Sequence, residues 1–172
     1  MVFKKILVAL DRSPQAPVVF EKALELVQKE ASNLMILHCL SLEVQAEIAP
    51  FMGTVVGLDP TRGRILQRIH HESSQHDIEQ AKEWLESYYQ QATAQGIPAE
   101  FDCSVGDAGS LICDLARNWG ADVIVLGRRG RGGIAEMLLG SVSNYVVHHA
   151  PCSVLVIQGV KPTTVDTKAA AT

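Results

Sequence analysis

Ile6-Leu7-Val8-Ala9-Leu10, closed by Asp11, is an apolar run with no polar alternation, which suits a strand buried on both faces. Asn33 to Cys39, Asp122 to Leu126 and Cys152 to Ile157 have the same character. Between these runs the apolar period changes from continuous to helical. Ala16, Val19, Ala23, Leu26 and Val27 step by threes and fours after Ser13-Pro14, an N-cap followed by proline, and the pattern holds to about Ala31. Ile78, Ala81, Leu85, Tyr88 and Ala92 predict a second helix from about Ser74 to Gln95. Ala99 to Val105 alternates in polarity, as an edge strand with one wet face would. Leu111 to Trp119, ended by Gly120, and Gly140 to His149, stopped before Pro151, supply two further helices.

Strands alternating with helices require crossover connections. The expected fold class is therefore α/β: a single doubly wound domain with a five-stranded parallel sheet, order 3-2-1-4-5, and helices on both faces. At 172 residues there is room for one such domain with a full core, placed at 1–158. Periodicity lapses over about 41–72, where Pro50, Gly53, Gly57, Pro60 and Gly63 read as a long loop or insert, apolar in the middle from Ile48 to Leu58. Residues 159–172 have nothing to bury and are expected to be a disordered tail.

A formal net charge of −4 provides no global attraction for long nucleic acids or anionic membranes, so neither is expected as a partner. The opening apolar run is far too short for a signal-peptide core or a membrane span, which points to a cytoplasmic location. Cys39, Cys103, Cys113 and Cys152 form no Cys-x-x-Cys pair and have no His at zinc-ligand spacing; they read as reduced core residues.

The chemistry concentrates between Asp122 and Ser143. A β-branched run ends on Gly127, a Gly/Arg-rich loop follows, and Gly140-Ser141 opens a helix. Glycines let backbone N–H groups approach an oxyanion, and a helix N-terminus adds unpaired donors and a favourable dipole. In a 3-2-1-4-5 sheet the winding reverses between the first and fourth strands, and ligands bind beyond their carboxyl ends. Asp11 and Gly127 end those two strands, so segments far apart in sequence are expected to converge on one crevice.

Gly127-Arg128-Arg129-Gly130, nine further residues, then Gly140-Ser141 resembles the Gly-x2-Gly-x9-Gly-Ser/Thr signature of the nucleotide-binding branch of the universal stress protein family. The opening Ile-Leu-Val-Ala-Leu-Asp, Leu37-His38-Cys39, Ala121 to Gly127 and His149 to Val156 extend the resemblance over nearly the whole chain. The resemblance implies ATP, or ADP or AMP, in that crevice, with a divalent metal able to accompany ATP. It implies Ala9 and Cys39 lining the adenine pocket, Asp11 on the ribose or phosphate side, and Leu126-Gly127 framing the ribose. Arg129 and Gly130 would meet phosphate through backbone N–H groups, and Gly140, Ser141, Val142 and Ser143 would hold the remaining phosphates. It further implies a homodimer through antiparallel pairing of the last strand, about Ser153 to Ile157, whose apolar edge is an exposed liability unless covered. The function implied is a stress-response regulator, a homodimeric sensor or switch that presents a nucleotide-dependent surface to a protein partner.

Several residues have structural readings beside these. Asp11 can cap the first helix; Arg128, Arg129 and Arg131 can steer a polyanion or stay solvated; His38, His148 and His149 read as structural, and His70-His71-Glu72 lacks zincin spacing. There is no Gly-x-x-x-x-Gly-Lys-Ser/Thr loop, no Gly-x-Gly-x-x-Gly after the first strand and no Gly-x-Ser-x-Gly elbow. No catalytic residue is assigned, and a cradle without an evident base is expected to bind, with at most slow hydrolysis. The alternatives are a slow ATPase or phosphoryl-transfer enzyme assisted by Asp11, and a structural dimer that binds no nucleotide.

Overall fold

The computed structural model describes residues 2–40, 60–128 and 139–158, the side chains of 60–74 excepted. The elements run β1 (Lys5–Leu10), α1 (Ala16–Glu30), β2 (Asn33–Leu40), α2 (Pro60–Ala94), β3 (Ala99–Val105), α3 (Ala108–Trp119), β4 (Val123–Gly127), α4 (Ser141–His149) and β5 (Ser153–Ile157). All five strands are parallel in the order β3-β2-β1-β4-β5, as the alternation of apolar runs and helices predicts.

Strand residues divide by parity between two cores. Ile6, Val8, Leu10, Leu34, Ile36, Val123 and Val125 face α1 and α2, where Phe20, Leu85, Tyr88 and Ala92 join them. Leu7, Met35, Leu37, Ile124 and Leu126 face α3 and α4, where Ile112, Cys113, Ala116 and Val146 join them. Because α1 leaves β1 toward one face and the β4 connection leads to the other, the chain ends of β1 and β4 open a crevice at the reversal point.

Two helix starts differ from the sequence expectation. Residues 60–72 were expected to belong to the aperiodic insert, yet α2 begins at Pro60 and runs for 35 residues. Proline is tolerated in a helix's first turn, where its missing N–H would have no partner anyway, and Gly63 costs only about 1 kcal/mol in a helix interior, so neither breaks it. Residues 41–59, the rest of that insert, and the expected tail at 159–172 lie outside the described residues. The second difference is in α1, which starts at Ala16 with Gln15 at the cap and no side-chain cap bond, not at Ser13-Pro14. The Ser13 hydroxyl donates instead to Asp11, which turns the chain before the helix begins.

Candidate functional site

Beyond β1, the Asp11 carboxylate folds over its own turn. Its Oδ1 accepts from the Ser13 backbone N–H at 3.2 Å and from the Ser13 hydroxyl at 2.6 Å, and the Ser13 oxygen accepts the Gln15 N–H at 3.3 Å. Asp11 therefore shapes the approach to α1 through Ser13 without capping it, and it stays half-buried at the mouth of the crevice. Arg12 points to the other face, its guanidinium 5.9 Å from the centre of the Trp84 ring, and lines a separate groove with Pro14, Pro17 and Tyr88. That groove belongs to the α1/α2 side and is not part of the crevice.

The crevice floor comes from three strands. Ala9 pairs in register with Leu126 on β4 and Leu37 on β2, and Ala9, Cys39 and Leu126 all pack on the α3/α4 side of the sheet. Burial, with lesser repulsion from Cys103, Asp102 and Asp107, pushes the Cys39 thiol up to about 12. It is neutral at physiological pH, which makes it a wall for an apolar ring rather than a nucleophile or metal ligand. Cys103 lies on the neighbouring strand but packs into the opposite core. His38 is buried, with Nδ1 2.7 Å from the Leu10 carbonyl and its ring edge-on to Trp84 at 5.0 Å, a structural placement.

On the β4 side, the backbone of one residue gathers three elements. The Arg128 N–H donates to the Ile157 carbonyl of β5 at 2.8 Å, while the Arg128 carbonyl accepts from the Gly140 N–H at 2.9 Å and from the Ser143 hydroxyl at 2.8 Å. Gly140 is the N-cap of α4, in extended backbone. Among the described residues the N–H groups of Ser141, Val142 and Ser143 have no acceptor, whereas that of Asn144 already donates to the Gly140 carbonyl at 2.8 Å. Three open backbone donors at the positive end of a helix dipole form an anion-binding arrangement. The donors start one residue later than the glycine, because Gly140's own N–H is engaged. Arg129 and Gly130 lie outside the described residues.

Residues 2–158 match the Universal stress protein family. The chain belongs to the universal stress protein family. It is 45% identical over 161 residues to Universal stress protein Sll1388 of Synechocystis, covering 92% of this chain and 99% of that one. Universal stress protein A homolog 2 of Coxiella burnetii is 35% identical over 159 residues, covering 91% and 95%. The fold is shared with hypothetical protein MJ0577, at a TM-score of 0.74, 22% identity and coverage of 94% and 100%. Two further universal stress proteins of this fold were solved with nucleotides. One is in complex with cAMP, at TM-score 0.58, 20% identity and coverage of 91% and 98%. The other, from Arabidopsis thaliana with AMP bound, has TM-score 0.56, 19% identity and coverage of 94% and 97%.

In this universal stress protein Ala9, Asp11, Cys39, Leu126, Gly127, Gly140, Ser141, Val142 and Ser143 lie at the carboxyl end of the sheet. Two features escaped the sequence reading. Ser13, two residues after Asp11, could have been found as an Asp-x-Ser turn signal. The backbone bonds of Arg128 join β5 and α4, and nothing in an arginine side chain announces them. Among the described residues no group of three or more His, Cys, Asp or Glu is arranged to hold a metal ion, and no helix is long and apolar enough to cross a membrane.

Proposed function

We propose that this universal stress protein binds an adenine nucleotide, ATP first and ADP or AMP as alternatives, in the β1/β4 crevice, and acts as a cytoplasmic stress-response regulator rather than a catalyst. The observation that carries the reading is the set of open N–H donors at Ser141, Val142 and Ser143, beside the Ala9, Cys39 and Leu126 floor. Donors at a helix start fit phosphate, and a neutral apolar floor fits a base. The donor set thus fits a nucleotide with its phosphates toward α4 and its base toward β2. Leu126-Gly127 would frame the ribose and Asp11 the ribose or phosphate side, with Arg129 and Gly130 adding backbone donors. A divalent ion would accompany ATP on its phosphates, with Asp11 the crevice carboxylate available to it.

The bound forms of the cAMP and AMP complexes of related proteins support the same ligand class. The working unit would be a homodimer paired through β5. Among the described residues β5 pairs with β4 alone; Leu155 of β5 is 39% exposed, and on α4 Val142 and Val147 are 38% and 43% exposed. Such an apolar edge is a surface that a second copy would cover. Since the Arg128 N–H holds β5 directly, nucleotide occupancy at α4 and the dimer edge would meet at one residue, Arg128.

ATP should raise the unfolding temperature saturably, as any ligand that binds only the folded state does, and Gly130→Val should abolish the shift by placing a side chain on the phosphate approach. Absence of a shift in the wild-type protein, together with no nucleotide in mass spectra of small molecules released on denaturation, would overturn the proposal. ATP turnover that survives repurification and disappears in Asp11→Ala would make it an enzyme instead. A monomer by light scattering at micromolar concentration would overturn the dimer.

A further inference from the structure

We infer that Ser143 is a positioning residue of the nucleotide site, an inference that rests on the reading above: its side chain pins the β4 and α4 anchor points to each other and does not itself contact phosphate. Ser143 is 3% exposed, although it stands in the first turn of a helix whose neighbours Ser141, Val142 and Asn144 are exposed. A serine at this helix position ordinarily turns outward or bonds its own helix. Here its hydroxyl hydrogen is committed across the fold, to the Arg128 carbonyl 15 residues earlier, at 2.8 Å.

The same carbonyl accepts the Gly140 N–H at 2.9 Å, so both of its lone pairs are used by the start of α4. Arg128 is held from its other side by the Ile157 carbonyl at 2.8 Å, which ties the residue to β5 as well as to α4. Ser143 thereby sets where the open Ser141 and Val142 donors stand relative to Gly127 and the floor residues. Donors fixed before the ligand arrives lose less freedom on binding, which is why a group that never touches the nucleotide changes its affinity. A buried hydroxyl also explains the chemistry of the position: alanine there would leave the second lone pair of a partly buried carbonyl without a donor.

The test compares Ser143→Ala and Ser143→Cys with the full-length wild-type chain, using ATP titration well below the unfolding midpoint and amide hydrogen exchange of the nucleotide-free protein. Both variants should bind ATP about tenfold more weakly, the scale of one buried hydrogen bond, and exchange the Gly140 amide faster. Cysteine keeps the volume but donates poorly, so it should resemble alanine. Wild-type affinity in Ser143→Cys would show that only volume matters and would overturn the inference. Weaker binding with unchanged Gly140 exchange would also overturn it, because the hydroxyl would then be a direct phosphate contact. If wild-type protein binds no ATP, the functional reading fails by itself, while Gly140 exchange still decides whether Ser143 is the pin.

Discussion

The two faces of the sheet are built differently. On the α1/α2 face large side chains lock together: Phe20 meets Tyr88 edge-on at 4.8 Å, Tyr88 meets Trp84 at 5.1 Å, and Trp84 meets His38. On the α3/α4 face the helices meet over a glycine, Tyr145 of α4 lying across Gly109 of α3, and Ile112, Cys113 and Ala116 of α3 join the strand residues in the core. Aromatic interdigitation fixes one face as a platform. Close helix approach on the other brings the start of α4 to the strand ends and leaves its outer side exposed. The site stands on the face where placement depends on backbone fit, and the bulk of the large-residue core lies beneath it.

If that division of labour is real, a cavity on the platform should lower stability and leave ligand geometry alone. Phe20→Ala, at a site 2% exposed, should cost about 3–5 kcal/mol in chemical denaturation, with ATP affinity of the still-folded protein unchanged. A comparable loss of affinity would break the comparison. Gly109→Ala tests the opposite face, where an added Cβ would sit 2.6 Å from Tyr145 Cδ1. It should cost about 1–3 kcal/mol and also weaken ATP binding by displacing α4. In a Tyr145→Ala background the alanine penalty should largely vanish, a coupling that a double-mutant cycle would measure.

Helix ends sharpen the contrast at smaller magnitude. α1 closes on Ala31 at φ 53°, a left-handed residue that carries a Cβ, whereas α3 closes on Gly120 at φ 73° with nothing near an added Cβ. Ala31→Gly should gain up to about 1 kcal/mol and Gly120→Ala should lose about as much, both by thermal unfolding. The least effect at ordinary pH concerns Cys39. Its folded thiol titrates near 12, above its ordinary value of 9.0, so the unfolded chain gives up its proton first. The stability held by the neutral thiol is complete below about pH 9 and is lost as pH rises toward 12. Cys39→Ala should flatten that part of the stability profile, and an unchanged slope would remove Cys39 as its source.

Much of this was legible in the chain. Continuous apolar runs at Ile6–Leu10 and Val123–Leu126 mark strands that only a sheet covered on both sides can bury, and the intervening helical periods then force parallel crossovers. The edge position of β3 was readable from its alternation, and the glycine-bounded strand, loop and helix start pointed to the end of β4. Helix starts were less legible. Pro60 and Gly63 look like loop punctuation, yet proline suits a first helical turn and one glycine is a small penalty in a long helix. Ser13-Pro14 looks like a cap and first turn, but the Asp11 carboxylate captured the serine hydroxyl.

By itself the sequence determined the family, the strand order and the segments that meet at the crevice, because periodicity and glycine placement are local properties that act through burial and backbone freedom. Only the tertiary structure decided how each group in the crevice is used. It engaged the Gly140 N–H and the Ser143 hydroxyl on the Arg128 carbonyl, left the next three N–H groups without an acceptor among the described residues, and turned Asp11 onto Ser13. A hydrogen bond between residues 15 positions apart depends on where two packed elements place a donor and a carbonyl to within tenths of an ångström. No pattern along the chain carries that information.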